Sequence, residues 1–514
     1  MISAFTGTQI RAAEQPLLDA GEGAVLMQRA AYGLANAVVR ELRSEGRRLY
    51  GSSVTVLAGK GNNGGDGLFA AATLARRGMR TTAVLTAGSA HPDALAAFRA
   101  AGGRVHVLDE DNAEELAVLI AGDDVVIDAI LGTGARGGLR GSAAELVAAL
   151  EELRPGLVVA CDTPSGVDAD TGEVHWPVLT ARLTVAFGGI KAGLMADPGE
   201  GCAGRVILVP IGIEENLPAP ALRRFSAPDL AAVLPDPGRR AQKYTRGVLG
   251  VVAGSGRYTG AAAICVQAAS AAGTGMVRYL GPEVVARQVL ARTPEAIWEP
   301  AEPGRVQAWL LGPGLDGVER LQRARDVLAS ASSAGQPAVV DAGALELLPE
   351  RCPPNWILTP HAGELAALLG RGEVRVTRED VESRTVHFAR LAAEHTGAVV
   401  LLKGATTVVA SPSGTVFSQS DGNPWMSTAG SGDVLGGIVG ALAAAYAESG
   451  LDDHGPFAAL GIAPDERWAA VAAVGASIHG MAGSAASRGG PLTASGIARA
   501  VPDVFRFLGE YRAG

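Results

Sequence analysis

Apolar and polar positions along the chain form two repeating series with a break between them. Over residues 1–50, Leu26, Met27, Ala31, Leu34 and Val38 recur at helical spacing, which predicts helix. Short apolar runs follow at 54–58, 81–85, 104–108, 124–128 and 157–161, separated by Ala-rich helical stretches. Strands alternating with helices predict βαβ units, hence a parallel sheet with helices on its faces. From 211 to about 243 the pattern breaks down, interrupted by Pro218, Pro220, Pro228, Pro235 and Pro237. That stretch reads as a linker holding one short helix. A second βα series begins at 248–253 and continues with runs at 306–311, 338–341, 356–359 and 399–403. The expected organisation is therefore an α/β domain over 1–215, a linker over 216–242 and a second α/β domain over 243–514.

Composition narrows the classes. A chain of 514 residues is too long for one ordinary core, in keeping with two or three domains. With 48% hydrophobic and 19% charged residues it is globular rather than disordered. A net charge of −9 without any basic run argues against a nucleic-acid binder. The four cysteines, Cys161, Cys202, Cys265 and Cys352, are far apart and lack C-x-x-C spacing, so they read as thiols in a reducing compartment. No basic-then-apolar segment opens the chain, and the expected location is the cytoplasm. Residues 259–277 are uncharged and about long enough to span a bilayer. They are mostly Ala, Gly, Ser and Thr, which predicts a buried helix and no membrane partner. Homo-oligomer formation is left open.

Ligands in parallel sheets bind beyond the carboxyl ends of the strands, and three such ends in the first series are rich in Gly, Asn and Asp. They are GKGNNGGDG at 59–67, DAILGTGARGG at 128–138 and DTPSGVD at 162–168. Gly59, Gly61 and Gly64 satisfy G-x-G-x-x-G between a strand and a helix. After the second strand, however, the chain reads TAGSA at 86–90, with no acid to hold a ribose. A hydride-transferring dehydrogenase is thus disfavoured, while a dinucleotide-like ligand is retained. Glycines serving only tight turns account for Gly132 and Gly134, but not for the paired amides of Asn62 and Asn63. Asp162 is the acid/base candidate; the alternative is a carboxylate that only binds a sugar hydroxyl.

The strings NNGGDG, DAILGTGARG and DTPSGVDADTG, spread over roughly the first 215 residues, resemble the NAD(P)H-hydrate epimerase domain, which has a Rossmann-like fold. The resemblance implies that Asn62, Asn63, Gly64, Gly65 and Asp66 hold the damaged dinucleotide. It adds Gly132, Thr133, Gly134, Ala135, Arg136, Gly137 and Gly138 from the second loop, and Asp162 from the third. It also implies a potassium ion at Asn63, Asp128 and Ser165, all oxygen donors suited to a hard cation. Thr163 departs from the family's usual Ile without removing a ligand.

In the second series the strand ends are again polar, and TAGSGD at 428–433 runs into an apolar segment. Two glycines leave backbone N–H groups uncovered where a helix begins, a place that suits an anion, and Asp433 sits in the first turn as a base. The blander reading is a glycine C-cap followed by a helix N-cap. Lys403 beside Gly404 can meet phosphate, and Thr406 and Thr407 offer hydroxyls. His361 alone reads as a capping histidine, with Glu364 in the first turn after it.

Together TPHAGE, LLKGATTVVA and GNPWMSTAGSGDVLGG, within about 243–508, resemble the ADP-dependent NAD(P)H-hydrate dehydratase, a member of the ribokinase-like fold. The resemblance implies Lys403, Gly404, Ala405, Thr406, Thr407 and Gly432 around the adenine nucleotide. It implies Ala261, Gly314, His361 and Asp433 around the hydrated dinucleotide, with Ala362 in place of the family's common Pro. ADP is then the co-substrate, hydrated NADH and NADPH the substrates, and magnesium is expected, although no carboxylate cluster for it stands out in the sequence. The fold expectation is a Rossmann-like three-layer α/β domain followed by a ribokinase-like α/β/α domain. The functional expectation is epimerisation in the first half and ADP-dependent dehydration in the second. Its rival is a ribokinase-like vitamin kinase with a dinucleotide-sensing module at its N-terminus.

Overall fold

The computed structural model describes residues 1–300, 304–371, 375–447 and 455–513. The chain divides into two compact units, Ser3–Leu222 and Arg223–Gly514, with Met1–Ile2 grouped with the second.

In the N-terminal unit seven strands form a sheet with parallel pairing throughout. Their order is Arg104–Val107, Arg80–Leu85, Ser53–Ala58, Val125–Ala129, Val158–Cys161, Leu183–Phe187 and Arg205–Val209. Alternate residues feed opposite faces, as the two-residue period of a strand requires. Val54, Val56 and Ala58 enter one core with Ile127 and Val159, whereas Leu57, Val126 and Ala160 enter the other. Every residue of Ser53–Ala58 is buried because helices cover both faces. The chain order reverses between Ser53–Ala58 and Val125–Ala129, so a crevice opens beyond their carboxyl ends.

The expected helix at the start of the chain is two helices, Gly7–Asp19 and Gly23–Ser44, after a short strand Ile2–Phe5. That strand pairs in parallel with Ile190–Lys191, placing Phe5 opposite Lys191.

The C-terminal unit has strands in the order Ile297–Trp298, Met276–Tyr279, Val248–Val252, Ala308–Leu311, Ala338–Val340, Trp356–Leu358 and Val399–Leu402, all parallel. Thr407–Ala410 and Val416–Gln419 extend it antiparallel. The uncharged stretch forms helix Thr259–Ala271, packed against helix Ser431–Tyr446. A Cβ on Gly437 would lie 2.5 Å from the Cys265 carbonyl oxygen, so only small residues allow this approach. Helix Arg467–Ser487 is long and apolar enough to cross a membrane by composition, and is largely buried in this core.

The residues read as a linker over 216–242 are only partly that. Ala227–Val233 is helical, and Leu230, Ala231 and Val233 belong to the C-terminal core. Phe225 stacks on Phe417 with ring centroids 5.5 Å apart. Pro228 sits in the helix's first turn, Pro218 and Pro220 precede it and Pro235 and Pro237 follow it, so none interrupts it. A buried leucine or valine contributes about 1.5–3 kcal/mol, enough to dock the segment instead of leaving it free.

Candidate functional sites

At the crevice of the N-terminal unit lies a cavity of about 760 Å³. Its wall includes Asn62, Asn63 and Asp66 from the first loop, Gly132, Thr133, Gly134, Ala135 and Gly138 from the second, and Asp162 from the third. Gly64 and Gly65 are buried in the first turns of helix Asn62–Arg76, while Arg136 and Gly137 are absent from the wall. The glycines of the first loop are dictated by close approach. A Cβ on Gly64 would come 2.0 Å from the Gly59 carbonyl oxygen, and one on Gly59 equally close to that of Ile130.

Asp162 adopts φ +68°, a conformation rare for a side-chain-bearing residue. This turns its carboxylate back onto the sheet edge. One oxygen accepts the Phe187 N–H at 3.0 Å and also pairs with the Lys191 ammonium, which donates to the Phe187 carbonyl at 3.0 Å. Lys191 is almost fully buried, at 1% exposure, so its charge is committed to this corner. Asp66 and Glu14 line the same cavity. Asp66 is held well above the usual carboxylate range by burial, then by the charges of Asp162 and Glu14, against the pull of Lys191. Burial likewise raises Glu14, with Lys191 opposing and Asp162 adding to it. The sequence reading missed Glu14 and Lys191, whose approach depends on the pairing of Ile2–Phe5 with Ile190–Lys191. Arg11, Lys60 and Arg140 add positive charge around the cavity.

Asn63, Asp128 and Ser165 come together around Leu131. The Asn63 amide donates to the Leu131 carbonyl at 2.9 Å, and the Leu131 N–H donates to the Ser165 hydroxyl at 2.9 Å. Asp128, fully buried, accepts from the Ser165 hydroxyl at 2.6 Å and from the Ser165 N–H at 2.7 Å. Burial raises its carboxyl, and the donors that counteract this are neutral.

In the C-terminal unit, Lys403 ends strand Val399–Leu402 and donates to Asp341 at 2.8 Å, with a Glu364 oxygen at 3.7 Å. Burial would lower the lysine, but Asp341, Glu364 and Asp433 outweigh it and raise it. Asp433 lies in the first turn of helix Ser431–Tyr446. Burial first, then Asp341, push its carboxyl up to about 6, while Lys403 pulls the other way. Gly430 precedes the helix at φ +88°, the left-handed conformation that turns the chain into it. Behind the turn, the Ser431 hydroxyl lies 3.2 Å from His479 Nε2, and burial takes that imidazole down to about 4.

A Cβ on Gly314 would lie 2.7 Å from that of Ala261, so these two adjoin. Gly404 and Ala405 are exposed, Thr406 is buried and Thr407 opens a strand. His361 is an N-cap: its Nδ1 accepts the N–H groups of Gly363 and Glu364 at 3.1 and 3.2 Å, and Glu364 accepts the His361 N–H at 2.8 Å. Three carboxylates, Asp341, Glu364 and Asp433, thus surround Lys403. The sequence did not show this grouping, because Asp341 follows a strand while Glu364 and Asp433 lie in the first turns of two different helices.

Two parallel α/β units, each gathering carboxylates and a lysine at a strand edge beside glycine-rich turns, define a two-domain enzyme of nucleotide chemistry. A family model described as NAD(P)H-hydrate dehydratase matches residues 249–497, and one described as YjeF-related protein N-terminus matches 23–193. The bifunctional NAD(P)H-hydrate repair enzyme Nnr of Mycobacterium tuberculosis is 43% identical over 454 residues, covering 86% of this chain and 89% of that protein. The protein of the same name from Moorella thermoacetica is 33% identical over 500 residues, covering 90% and 88%. A crystal structure of ADP/ATP-dependent NAD(P)H-hydrate dehydratase from Bacillus subtilis, co-crystallised with ATP/Mg2+, is 26% identical with a TM-score of 0.46, covering 55% of this chain and 97% of that one. The chain belongs to the family of bifunctional NAD(P)H-hydrate repair enzymes.

Proposed function

We propose that the N-terminal unit interconverts the R and S epimers of hydrated NADH and NADPH, and that the C-terminal unit dehydrates the S epimer at the expense of ADP. The observation that carries this reading is Asp433. It is a carboxyl held at about 6, in the first turn of a helix, beside Lys403 and under the Gly430 turn. A base so poised takes the proton of the ring hydroxyl, and that oxygen attacks the terminal phosphorus of ADP. AMP leaves, and the backbone N–H groups of the turn offset the charge that develops. The phosphate ester then eliminates with a proton from the neighbouring carbon and restores the reduced nicotinamide. Phosphate is a far better leaving group than hydroxide, which accounts for a dehydration on a kinase-like fold.

Lys403, Gly404, Ala405, Thr406, Thr407 and Gly432 are assigned to the adenine nucleotide, and Ala261, Gly314 and His361 to the hydrated dinucleotide. Among the described residues no group of three or more His, Cys, Asp or Glu side chains is placed to hold a metal ion, and Asp341 is already paired with Lys403, so magnesium would come to this site with the phosphates rather than in a protein cage. Magnesium, when bound, supplies charge neutralisation on the phosphates.

In the N-terminal unit, Asp162 is assigned to acid/base chemistry and the cavity to the dinucleotide, whose phosphates suit Arg11, Lys60 and Arg140. Asn63, Asp128 and Ser165 fit potassium, since Asp128 is fully buried among neutral donors and a monovalent cation offsets its charge. The four cysteines are free and buried, which supports a reducing, cytoplasmic setting.

The test supplies pure S epimer with magnesium and either ADP or ATP, and measures AMP, orthophosphate and recovered reduced nicotinamide. Equal amounts of all three with ADP are expected. A stable phosphate ester accumulating from ATP would instead establish a kinase.

A further inference from the structure

The epimer interconversion, taken as proposed above, inverts a carbon bearing a hydroxyl and bonded to the ring nitrogen. Inversion by loss and return of water requires two groups in opposite protonation states, an acid for the departing hydroxyl and a base for the incoming water. The cavity of the N-terminal unit holds such a pair in contrasting surroundings. Asp162 is committed to a cation, accepting from the buried Lys191 ammonium and from the Phe187 N–H. Asp66 has no such partner: one of its carboxyl oxygens is buried without a hydrogen bond. The groups around it are Glu14 on helix Gly7–Asp19, the Asp162 carboxylate, the Cys161 thiol and Lys191. Lys191 is the cation that pulls most on Asp66, and it is already engaged by Asp162 and by the Phe187 carbonyl, while Arg11, Lys60 and Arg140 also line the cavity.

We propose that Asp66 is the proton donor and Asp162 the proton acceptor of the epimerisation, with Glu14, on the wall of the same cavity, as the residue that positions Asp66 for that role. Asp66 gives its proton to the ring hydroxyl. The C–O bond breaks with its electron pair on the departing water, and the lone pair of the ring nitrogen forms a C=N bond. Water adds to the other face of that carbon, its proton passing to the Asp162 carboxylate as the C=N pair returns to nitrogen. Transfer of that proton from Asp162 to Asp66 through water resets both groups, and only the configuration has changed. Like charges explain the role of Glu14: its carboxylate disfavours ionisation of Asp66, just as two carboxyls sharing one site cannot both ionise easily.

The experiment uses the full chain, pure R epimer and no ADP, and follows formation of the S epimer chromatographically in water enriched in heavy oxygen. Interconversion by the unsubstituted protein tests the epimerase reading itself; its absence would remove that reading, whatever the roles of these residues. Given interconversion, each inversion is expected to bring one solvent oxygen into the product. Asp66→Asn is expected to slow the reaction by about 10²–10⁴-fold, with partial recovery in Asp66→Glu. Independently of those variants, the rate of the unsubstituted protein is expected to fall at high pH as Asp66 loses its proton. Glu14→Gln is expected to move that falling limb to lower pH, because removing a neighbouring negative charge eases ionisation of Asp66. Product without solvent oxygen, an Asp66→Asn rate close to that of the unsubstituted protein, or a limb unmoved by Glu14→Gln would each overturn the proposal.

Discussion

Both units place one lysine among carboxylates at the edge of a parallel sheet, but the two lysines are held differently. Lys191 is 1% exposed and bonded to Asp162 and a backbone carbonyl. Lys403 keeps 21% of its side chain exposed and leans on Asp341, with Glu364 further off. In the first unit the clamp fixes Asp162, the carboxylate proposed as the proton acceptor. In the second it takes Asp341 and leaves Asp433 as the group near neutrality. Burial therefore fixes a charge in one site and raises a carboxyl toward neutrality in the other.

The largest expected effect separates the two sites. Asp433→Asn is expected to cut ADP-dependent dehydration by about 10²–10⁴-fold. Epimer interconversion, measured on the same protein, should persist; loss of both would show that the variant damages the chain rather than one site.

Next comes stability. Lys191→Met strands the Asp162 carboxylate against a buried wall, and removing one partner of a buried pair costs about 3–5 kcal/mol. Denaturant unfolding should show this loss for Lys191→Met and a smaller one for Lys403→Met, whose site opens to solvent. Equal losses would erase the proposed distinction.

Acidity gives a subtler readout. Asp433 acts as a base only when ionised, so dehydration should rise with pH up to about 6 and then level off. Asp341→Asn removes the like charge that raises Asp433 and frees Lys403 to pair with it. Both changes move the rising limb to lower pH, whatever the loss in rate; a limb that stays in place would contradict the assignment of Asp433. The smallest effect belongs to His361→Ala. Losing the N-cap is expected to cost about 1 kcal/mol in thermal unfolding. A rise in KM for the hydrated dinucleotide would add substrate contact to the capping role.

Local signals in the sequence led to much of this. The loop at 59–67 and the turn at 428–433 carry their geometry in consecutive residues: Gly59 and Gly64 leave no room for a Cβ, and Gly430 takes a left-handed φ. What depended on distant pairing stayed hidden. Glu14 and Lys191 line one cavity, and the four-residue strand Ile2–Phe5 that leads to the Glu14 helix pairs with the two-residue strand Ile190–Lys191, neither being long enough to show a period. Asp341 and Glu364 stand 23 positions apart in the sequence, and the sheet places both beside Lys403. The proline-rich segment reads as a linker with one short helix; the helix is there, and it docks on the core through Leu230 and Val233. Pro228 starts that helix rather than interrupting it.

One measurement bears most directly on a chain that repairs both epimers. An epimer mixture of hydrated NADH, with ADP, magnesium and potassium, is followed by the near-ultraviolet absorbance of the returning reduced nicotinamide. The unsubstituted protein is expected to recover all of it, whereas Asp162→Asn should stall once the S fraction is consumed. Recovery that stalls at the S fraction in the unsubstituted protein, or runs to completion equally fast in Asp162→Asn, would contradict the account.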